Sequence, residues 1–160
     1  MQTVAMIPAR YESSRLRGKP LADICGRPMI WWVWRRVTES KKIGAVYAVT
    51  DNDQIRQVCE TYGIPCEMTS PLHRSSTERL YEAAQTISAD VYICINGDEP
   101  LIESAIVEKI IPAEGEPFFA SNLMTKIHHP VEVVDDTNIK VVTDGEGYAL
   151  FMSRSPIPHP

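Results

Sequence analysis

No stretch of these 160 residues approaches the roughly 20 consecutive apolar positions that a membrane-spanning helix needs. The amino terminus, Met1-Gln2-Thr3-Val4, also lacks the basic start and long apolar run of a secretory signal. Both absences point to a cytoplasmic protein. The four cysteines, Cys25, Cys59, Cys66 and Cys94, form no CxxC pair. That spacing argues against a structural zinc site and leaves buried free thiols as the expectation. Neither GxxxxGK followed by Ser or Thr nor GxGxxG occurs, which disfavours a P-loop NTPase and a dinucleotide-binding dehydrogenase. Internal repeats, low-complexity tracts and linkers are missing as well. A net charge of −5 argues against nonspecific nucleic-acid binding as the main activity.

What is present suits one soluble domain: 44% hydrophobic residues can supply a sizeable core. Charge is unevenly placed. Residues 1–42 carry nine Lys or Arg against three acids, and residues 43–160 carry seven against eighteen. A basic amino-terminal sector on an acidic chain suggests a local anion site. Thr3–Ile7 reads as a buried strand ended by Pro8, and a basic loop follows from Ala9 to Pro20. Pro28 can open a helix with Met29, Ile30, Val33, Trp34 and Val37 on one face; Trp31 and Trp32 widen that face. Ala45–Thr50 is a second strand, with Asp51 as N-cap of a helix ended by Gly63. Ile64–Met68 is a short strand, and Ser75 with Glu78 has the spacing of a capping box for a helix over Thr77–Ser88. Val91–Ile95 is a buried strand, followed by a helix around Glu103–Ile111. This alternation predicts an α/β fold with a mostly parallel sheet covered on both faces. Later, Phe118–Met124 and Ile139–Thr143 read as strands, and Asp144-Gly145-Glu146-Gly147 as the turn of a hairpin into Tyr148–Met152.

Three segments could carry chemistry. The first is IPARYESSRLRGKPL, Ile7 to Leu21, directly after the first strand. It holds Arg10, Arg15, Arg17 and Lys19, cations whose mutual repulsion is relieved if an anion such as a triphosphate sits among them. Ligands of doubly wound sheets bind beyond the carboxyl ends of strands, which favours that reading over a solvated basic loop. The second is ICINGDEPL, Ile93 to Leu101. Taken alone it reads first as a turn in which Asp98 bonds its own backbone. A carboxylate at a strand end is also placed to hold Mg²⁺, with Asp98 the first candidate and Glu99 the second. The third, HRSSTERL from His73 to Leu80, is a capped helix start whose free backbone donors could also meet a base or phosphate. His73 receives no role.

Together, IPARYESSRLRGKPL, SSTERL and NGDEP resemble, in the same order, the signature segments of the CMP-Kdo synthetases, bacterial enzymes that activate 3-deoxy-manno-octulosonate (Kdo). TNIKVVTDGEGYALFMSRSPIPHP, Thr137 to Pro160, resembles the family's later NxVKVVxDxxGxAxYFSRxxIP segment. The resemblance implies a Rossmann-like nucleotidyltransferase fold of the nucleotide-diphospho-sugar transferase (GT-A-like) type, with a C-terminal β-hairpin. It implies one nucleotidyltransferase domain over 1–160, shorter at its C-terminus than the family. It further implies that Arg10, Lys19 and Asp98 are catalytic, that Ala9, Arg10, Arg15, Lys19, Ser75, Thr77, Arg79 and Asn96 bind nucleotide, and that Asp98 is a Mg²⁺ ligand. Arg154 would meet the sugar acid. CTP and an acidic sugar would be the substrates, with a homodimer as the family's assembly and neither nucleic acid nor membrane as partner. Two positions depart from the pattern: Ser76 replaces a glycine, and Asn96 is one methylene shorter than the usual glutamine. A nucleotide-binding module without its own catalysis, and an enzyme for an amino-Kdo or sialic-type acid, are the alternatives.

Overall fold

In the computed structural model, which describes residues 1–12, 16–115 and 120–157, strand β1 (Thr3–Ala9) is hydrogen-bonded on both edges by parallel partners. On one edge β4 (Ala45–Thr50) runs in register from Val4↔Ala45 to Ala9↔Thr50, with β5 (Cys66–Met68) beyond it. On the other edge β6 (Val91–Cys94) pairs from Thr3↔Val91 to Met6↔Cys94. The sheet order is therefore β5-β4-β1-β6. Because side chains of a strand alternate between faces, β1 feeds two cores. Ala5, Ile7 and Ala9 pack with Ile30, Val33 and Val37 of α1 (Met29–Val37), Ile55 and Cys59 of α2 (Asp53–Tyr62), and Val107 of α4 (Ser104–Val107). Val4 and Met6 pack on the opposite face with Val49, Leu80 and Ala83, the last two from α3 (Ser76–Ala83). Burial on both faces explains why TVAMI contains no alternating polar residue. The expected α/β sheet with helices on both faces is what forms.

Several boundaries differ from the expectation for physical reasons. The N-cap of α2 is Asn52, whose Oδ1 accepts the amides of Gln54 at 3.0 Å and Ile55 at 3.2 Å. Asp51 is drawn instead to a buried guanidinium, described below. Gly63 ends α2 as anticipated, with φ 68. Helix α3 stops at Ala83 rather than Ser88; Thr86 Oγ1 donates to the Ala83 carbonyl at 3.0 Å, competing with the helical ladder. The helix expected over Glu103–Ile111 is α4 followed by a 3₁₀ turn, Glu108–Ile110. Residues 120–124 form no strand, and Phe118 lies outside the described residues.

The expectation of buried free thiols is met only at Cys59, where a bond to Cys66 and then burial push the thiol up and keep it protonated; Cys66 is half-buried, and Cys25 and Cys94 are exposed. Cys25 occupies the turn of a small hairpin that sequence pattern did not reveal, β2 (Asp23–Ile24) with β3 (Arg27–Pro28). Its turn residues Cys25 and Gly26 both have positive φ, 51 and 81. The adjacent tryptophans hold this hairpin down. Trp32 Nε1 donates to the Ile24 carbonyl at 2.8 Å, and the Arg27 guanidinium stacks 5.2 Å from the ring centres of both Trp31 and Tyr62.

The chain divides into two compact units, Met1–Ser121 and Asn122–Pro160. The second contains the short helix α5 (Pro130–Val134) and the antiparallel pair β7 (Lys140–Thr143) and β8 (Ala149–Ser153), so the C-terminal hairpin is present. Asp144 Oδ1 shapes its turn by accepting the amides of Glu146 and Tyr148, each at 2.9 Å. Among the described residues no helix is long and apolar enough to cross a membrane.

A left-handed backbone costs a β-carbon-bearing residue about 1 kcal/mol or more, and Asn tolerates it best among non-glycine residues. Cys25→Asn should therefore raise stability by about 0.5 kcal/mol, and Cys25→Val should lower it, read from urea unfolding midpoints.

Candidate active site

Two β-strand ends define the site. β4 and β5 lie to one side of β1 and β6 to the other, so the order of connection reverses between β1 and β6. Such a switch point leaves a crevice beyond the carboxyl ends of the strands, because the two following loops diverge. Here those loops are the basic segment after Ala9 and the acidic turn after Cys94. The acidic turn lies tightly on β1: the Ile95 amide donates to the Met6 carbonyl at 2.9 Å. At Gly97 a β-carbon would come within 3.2 Å of the Pro8 carbonyl oxygen, closer than backbone readily allows.

The basic segment folds back on itself. Gly18, at φ 67, donates its amide to the Tyr11 carbonyl at 2.7 Å, and a β-carbon there would meet the Tyr11 ring at 3.2 Å. This reversal launches the 3₁₀ turn Lys19–Leu21 and aims Lys19 at the acidic turn. Lys19 Nζ and Asp98 Oδ2 are 2.6 Å apart, although 79 residues separate them in sequence. Both side chains are partly exposed, so this ion pair is cheap to open; exposed pairs contribute about 0–1 kcal/mol. Arg17 is engaged locally, bonding Glu12 at 2.7 Å over the Tyr11 ring. Ala9 is the buried last residue of β1, and Arg10 follows it exposed, with no ion pair among the described residues. Arg15 lies outside the described residues. Thus Lys19 and Asp98 meet at the strand ends where Ala9 and Arg10 also lie.

Asn96 is exposed at the end of β6, its Nδ2 donating to Glu99 Oε1 at 2.9 Å. That bond engages one oxygen of Glu99, while Asp98 is engaged by Lys19. Ser75 caps α3, accepting the Glu78 amide at 3.2 Å, while Glu78 reaches back to the Arg74 amide at 2.7 Å. The anticipated capping box is therefore displaced by one residue on its carboxylate side. Thr77 is exposed in the first turn of α3.

Arg79 has a different situation from the other charged residues expected at the site. It is fully buried, and Nη1 donates to Thr69 Oγ1 at 2.5 Å and Nη2 to Asp51 Oδ2 at 2.8 Å. Thr69 in turn donates its amide to the Thr50 carbonyl at 2.8 Å. The guanidinium thus braces the ends of β4 and β5 from α3. Breaking such a pair from one side costs about 3–5 kcal/mol, because an unpaired charge is left inside.

The preceding loop is also pinned by α3. Glu82 accepts the Ser70 amide at 2.9 Å and is hydrogen-bonded to His73 Nε2. The His73 bond, then the Ser70 amide, hold the Glu82 carboxyl below the ordinary carboxylate value of 4.5. In the second unit, Arg154 is exposed and donates through Nη1 to the carbonyls of Asp136 and Thr137, each at 2.9 Å.

Sequence reasoning gave Asp51 only a capping role and gave Thr69 and Gly97 none of their own. Asp51 could have been suspected as a carboxylate at the end of a buried strand; Thr69 and Gly97 acquire their roles only through neighbours distant in sequence. No cluster of three or more His, Cys, Asp or Glu side chains suited to a metal occurs among the described residues. Any cation here would depend on Asp98 together with oxygens brought by a ligand.

Comparison with known proteins bears on this geometry. Residues 4–160 match a protein-family model described as cytidylyltransferase. The chain is 40% identical to 3-deoxy-manno-octulosonate cytidylyltransferase of Geotalea uraniireducens, covering 99% of this chain and 64% of that protein. The enzyme of the same name from Aliivibrio fischeri is 43% identical over 99% of this chain and 65% of its own length. The chain thus spans just under two thirds of these relatives. Among solved structures, CMP:2-keto-3-deoxy-manno-octonic acid synthetase complexed with CTP superimposes with a TM-score of 0.85 at 34% identity. That match covers 100% of this chain and 67% of the other. The nucleotidyltransferase-type fold anticipated from the motifs is therefore present.

Two outcomes test the local geometry. Gly97→Ala should destabilise the protein by about 1–3 kcal/mol in urea unfolding, since the obstruction is backbone and cannot swing aside. Glu82 has a lowered native pKa, so its contribution to stability is full above pH 4.5 and is lost as pH falls through the native value. Glu82→Gln should accordingly flatten the fall in stability below pH 4.5, measured by thermal unfolding across acid pH.

Proposed function

This chain belongs to the cytidylyltransferase family, and we propose that it forms the nucleotide-handling part of an enzyme transferring CMP from CTP to an acidic sugar. 3-Deoxy-manno-octulosonate is the acceptor that the names of its relatives favour. The product would enter surface polysaccharide or lipopolysaccharide synthesis. The observation that carries this reading is the 2.6 Å contact of Lys19 with Asp98 at the switch point of the sheet. One cation and one carboxylate there are complementary to a metal-chelated triphosphate, which offers anionic oxygens to the first and a divalent ion to the second.

The anomeric hydroxyl of the sugar acid would attack the α-phosphorus of CTP, forming the new P–O bond as the bond to pyrophosphate breaks. No protein nucleophile is needed, so the chain contributes position and charge. Lys19, freed from Asp98, would offset charge gathering on the departing pyrophosphate, and Arg10 would do the same from the end of β1. The cheapness of the Lys19–Asp98 pair matters here, because ligand binding must part it. Asp98 is a hard, exposed oxygen donor and fits Mg²⁺, an ion that binds through one or two carboxylates plus phosphate oxygens. When bound, Mg²⁺ would neutralise phosphate charge. Ser75, Thr77 and Asn96 would meet the cytidine, with Arg79 acting from beneath through Thr69 and Asp51. Arg154 would hold the carboxylate of the sugar acid.

In the full-length protein, Lys19→Ala and Asp98→Ala should each lower turnover by roughly 100-fold or more, measured as pyrophosphate release. Rates within a few-fold of wild type would remove both roles. Calorimetry of the 160-residue chain with CTP and Mg²⁺, beside a turnover assay on the same sample, should show nucleotide binding. Binding without turnover would confine this chain to the nucleotide-binding step.

A further inference from the structure

In the second unit, four consecutive backbone carbonyls are taken by two cationic side chains. Lys140 Nζ donates to the outer pair, Asp135 O at 2.5 Å and Asn138 O at 3.0 Å, and also to the carbonyl of Arg154. Arg154 Nη1 takes the inner pair, Asp136 O and Thr137 O. Lys140 is only 3% exposed, and its three ammonium protons are matched by three carbonyl acceptors. The loop is stiffened further by Asp135, whose carboxylate accepts the amide of Thr137 at 2.8 Å and its hydroxyl at 2.7 Å.

Burying an ammonium among carbonyls alone is an expensive way to fill space. A methionine has similar length and no desolvation cost. The distinctive contribution of the charge is directional: it fixes three backbone oxygens relative to one another. One of them belongs to Arg154. The register explains the reach, since Lys140 pairs with Ser153, the residue just before Arg154. The backbone of Arg154 is thereby clamped to the same loop that its own Nη1 grips. With Nη1 held, Nε and Nη2 carry no hydrogen bond to any described residue, and the side chain is exposed. An edge of two parallel N–H donors is the shape that a carboxylate binds in bidentate fashion.

We propose that Lys140 is a positioning residue for the acidic substrate: its buried ammonium sets the orientation of the Arg154 edge that receives the sugar carboxylate. This rests on the reading above that Arg154 meets the sugar acid. A residue serving only the stability of the hairpin would affect all kinetic constants together. A residue that orients Arg154 affects recognition of the acid alone.

The test is steady-state kinetics of the full-length protein carrying Lys140→Met, Arg154→Ala, or both, with 3-deoxy-manno-octulosonate and CTP varied separately. Lys140→Met should raise KM for the sugar acid roughly 10-fold while kcat and KM for CTP stay within about 2-fold. Added to Arg154→Ala, it should change the sugar KM by less than about 2-fold, because the group it orients is gone. Amide hydrogen exchange of β7 and β8 should match wild type; where Lys140→Met loosens the hairpin, Lys140→Gln is read by the same criteria. If Arg154→Ala leaves the sugar KM unchanged, the assignment of Arg154 falls and this inference with it. If Arg154→Ala raises the sugar KM while Lys140→Met does not, or if the two effects simply add, the positioning role alone is overturned.

Discussion

The site depends on β1 being paired along both edges. A strand in that position must be apolar on both faces, and Val4 to Ile7 are all but inaccessible to solvent. Its carboxyl end then opens between two loops that have no reason to stay together. Pairing with β6 brings the acidic turn to one side of that opening, and the folded-back basic loop occupies the other. The 2.6 Å approach of Lys19 and Asp98 is the consequence. Charge attraction contributes little to holding these loops, since both side chains are partly exposed. Main-chain geometry does most of it: the Gly18 reversal over Tyr11 and the close seat of Gly97 on Pro8. A site assembled by backbone and only lightly sealed by an ion pair can exchange that pair for a charged ligand without losing its shape.

Charged residues in this protein divide by what they cost when unpaired. Lys19, Asp98 and Arg10 sit where water can replace a lost partner, as the exchange of partners proposed above would require. Arg79 and Lys140 sit where it cannot. Arg79 is held through its two terminal nitrogens by Thr69 and Asp51, and Lys140 by three carbonyls. These buried cations hold strand ends and loops in register rather than meeting solvent. Burial thus decides whether a cation is free to change partners or is committed to framing the structure.

How much of this was readable beforehand varies by element. TVAMI, AVYAVT and VYICI announced themselves as buried strands through unbroken apolar runs. Ser75 and Gly63 marked helix ends because capping and left-handed termination are local chemistry. The β2–β3 hairpin was not legible, since its two-residue strands carry no pattern and Cys25 is an unusual turn residue. Asp51 was assigned a cap it does not make: a neighbouring Asn could cap equally well, and the choice was decided by Arg79 from another helix. Arg79, which the resemblance placed among the nucleotide-binding residues, proved to be buried and paired with Asp51 and Thr69.

Sequence alone settled the strands of the sheet, the alternation that makes it parallel, the basic and acidic turns, and the family to which they belong. These follow from local propensity, hydrophobic period and residue identity. Tertiary structure decided which charges face each other, which are buried, and which loop carbonyls a lysine can reach. Lys19 finds Asp98, Arg79 finds Asp51, and Lys140 finds Arg154 across separations of 79, 28 and 14 residues. No local preference encodes such pairings; they arise when the sheet within the first unit, and the hairpin within the second, bring residues distant in sequence to within hydrogen-bonding range.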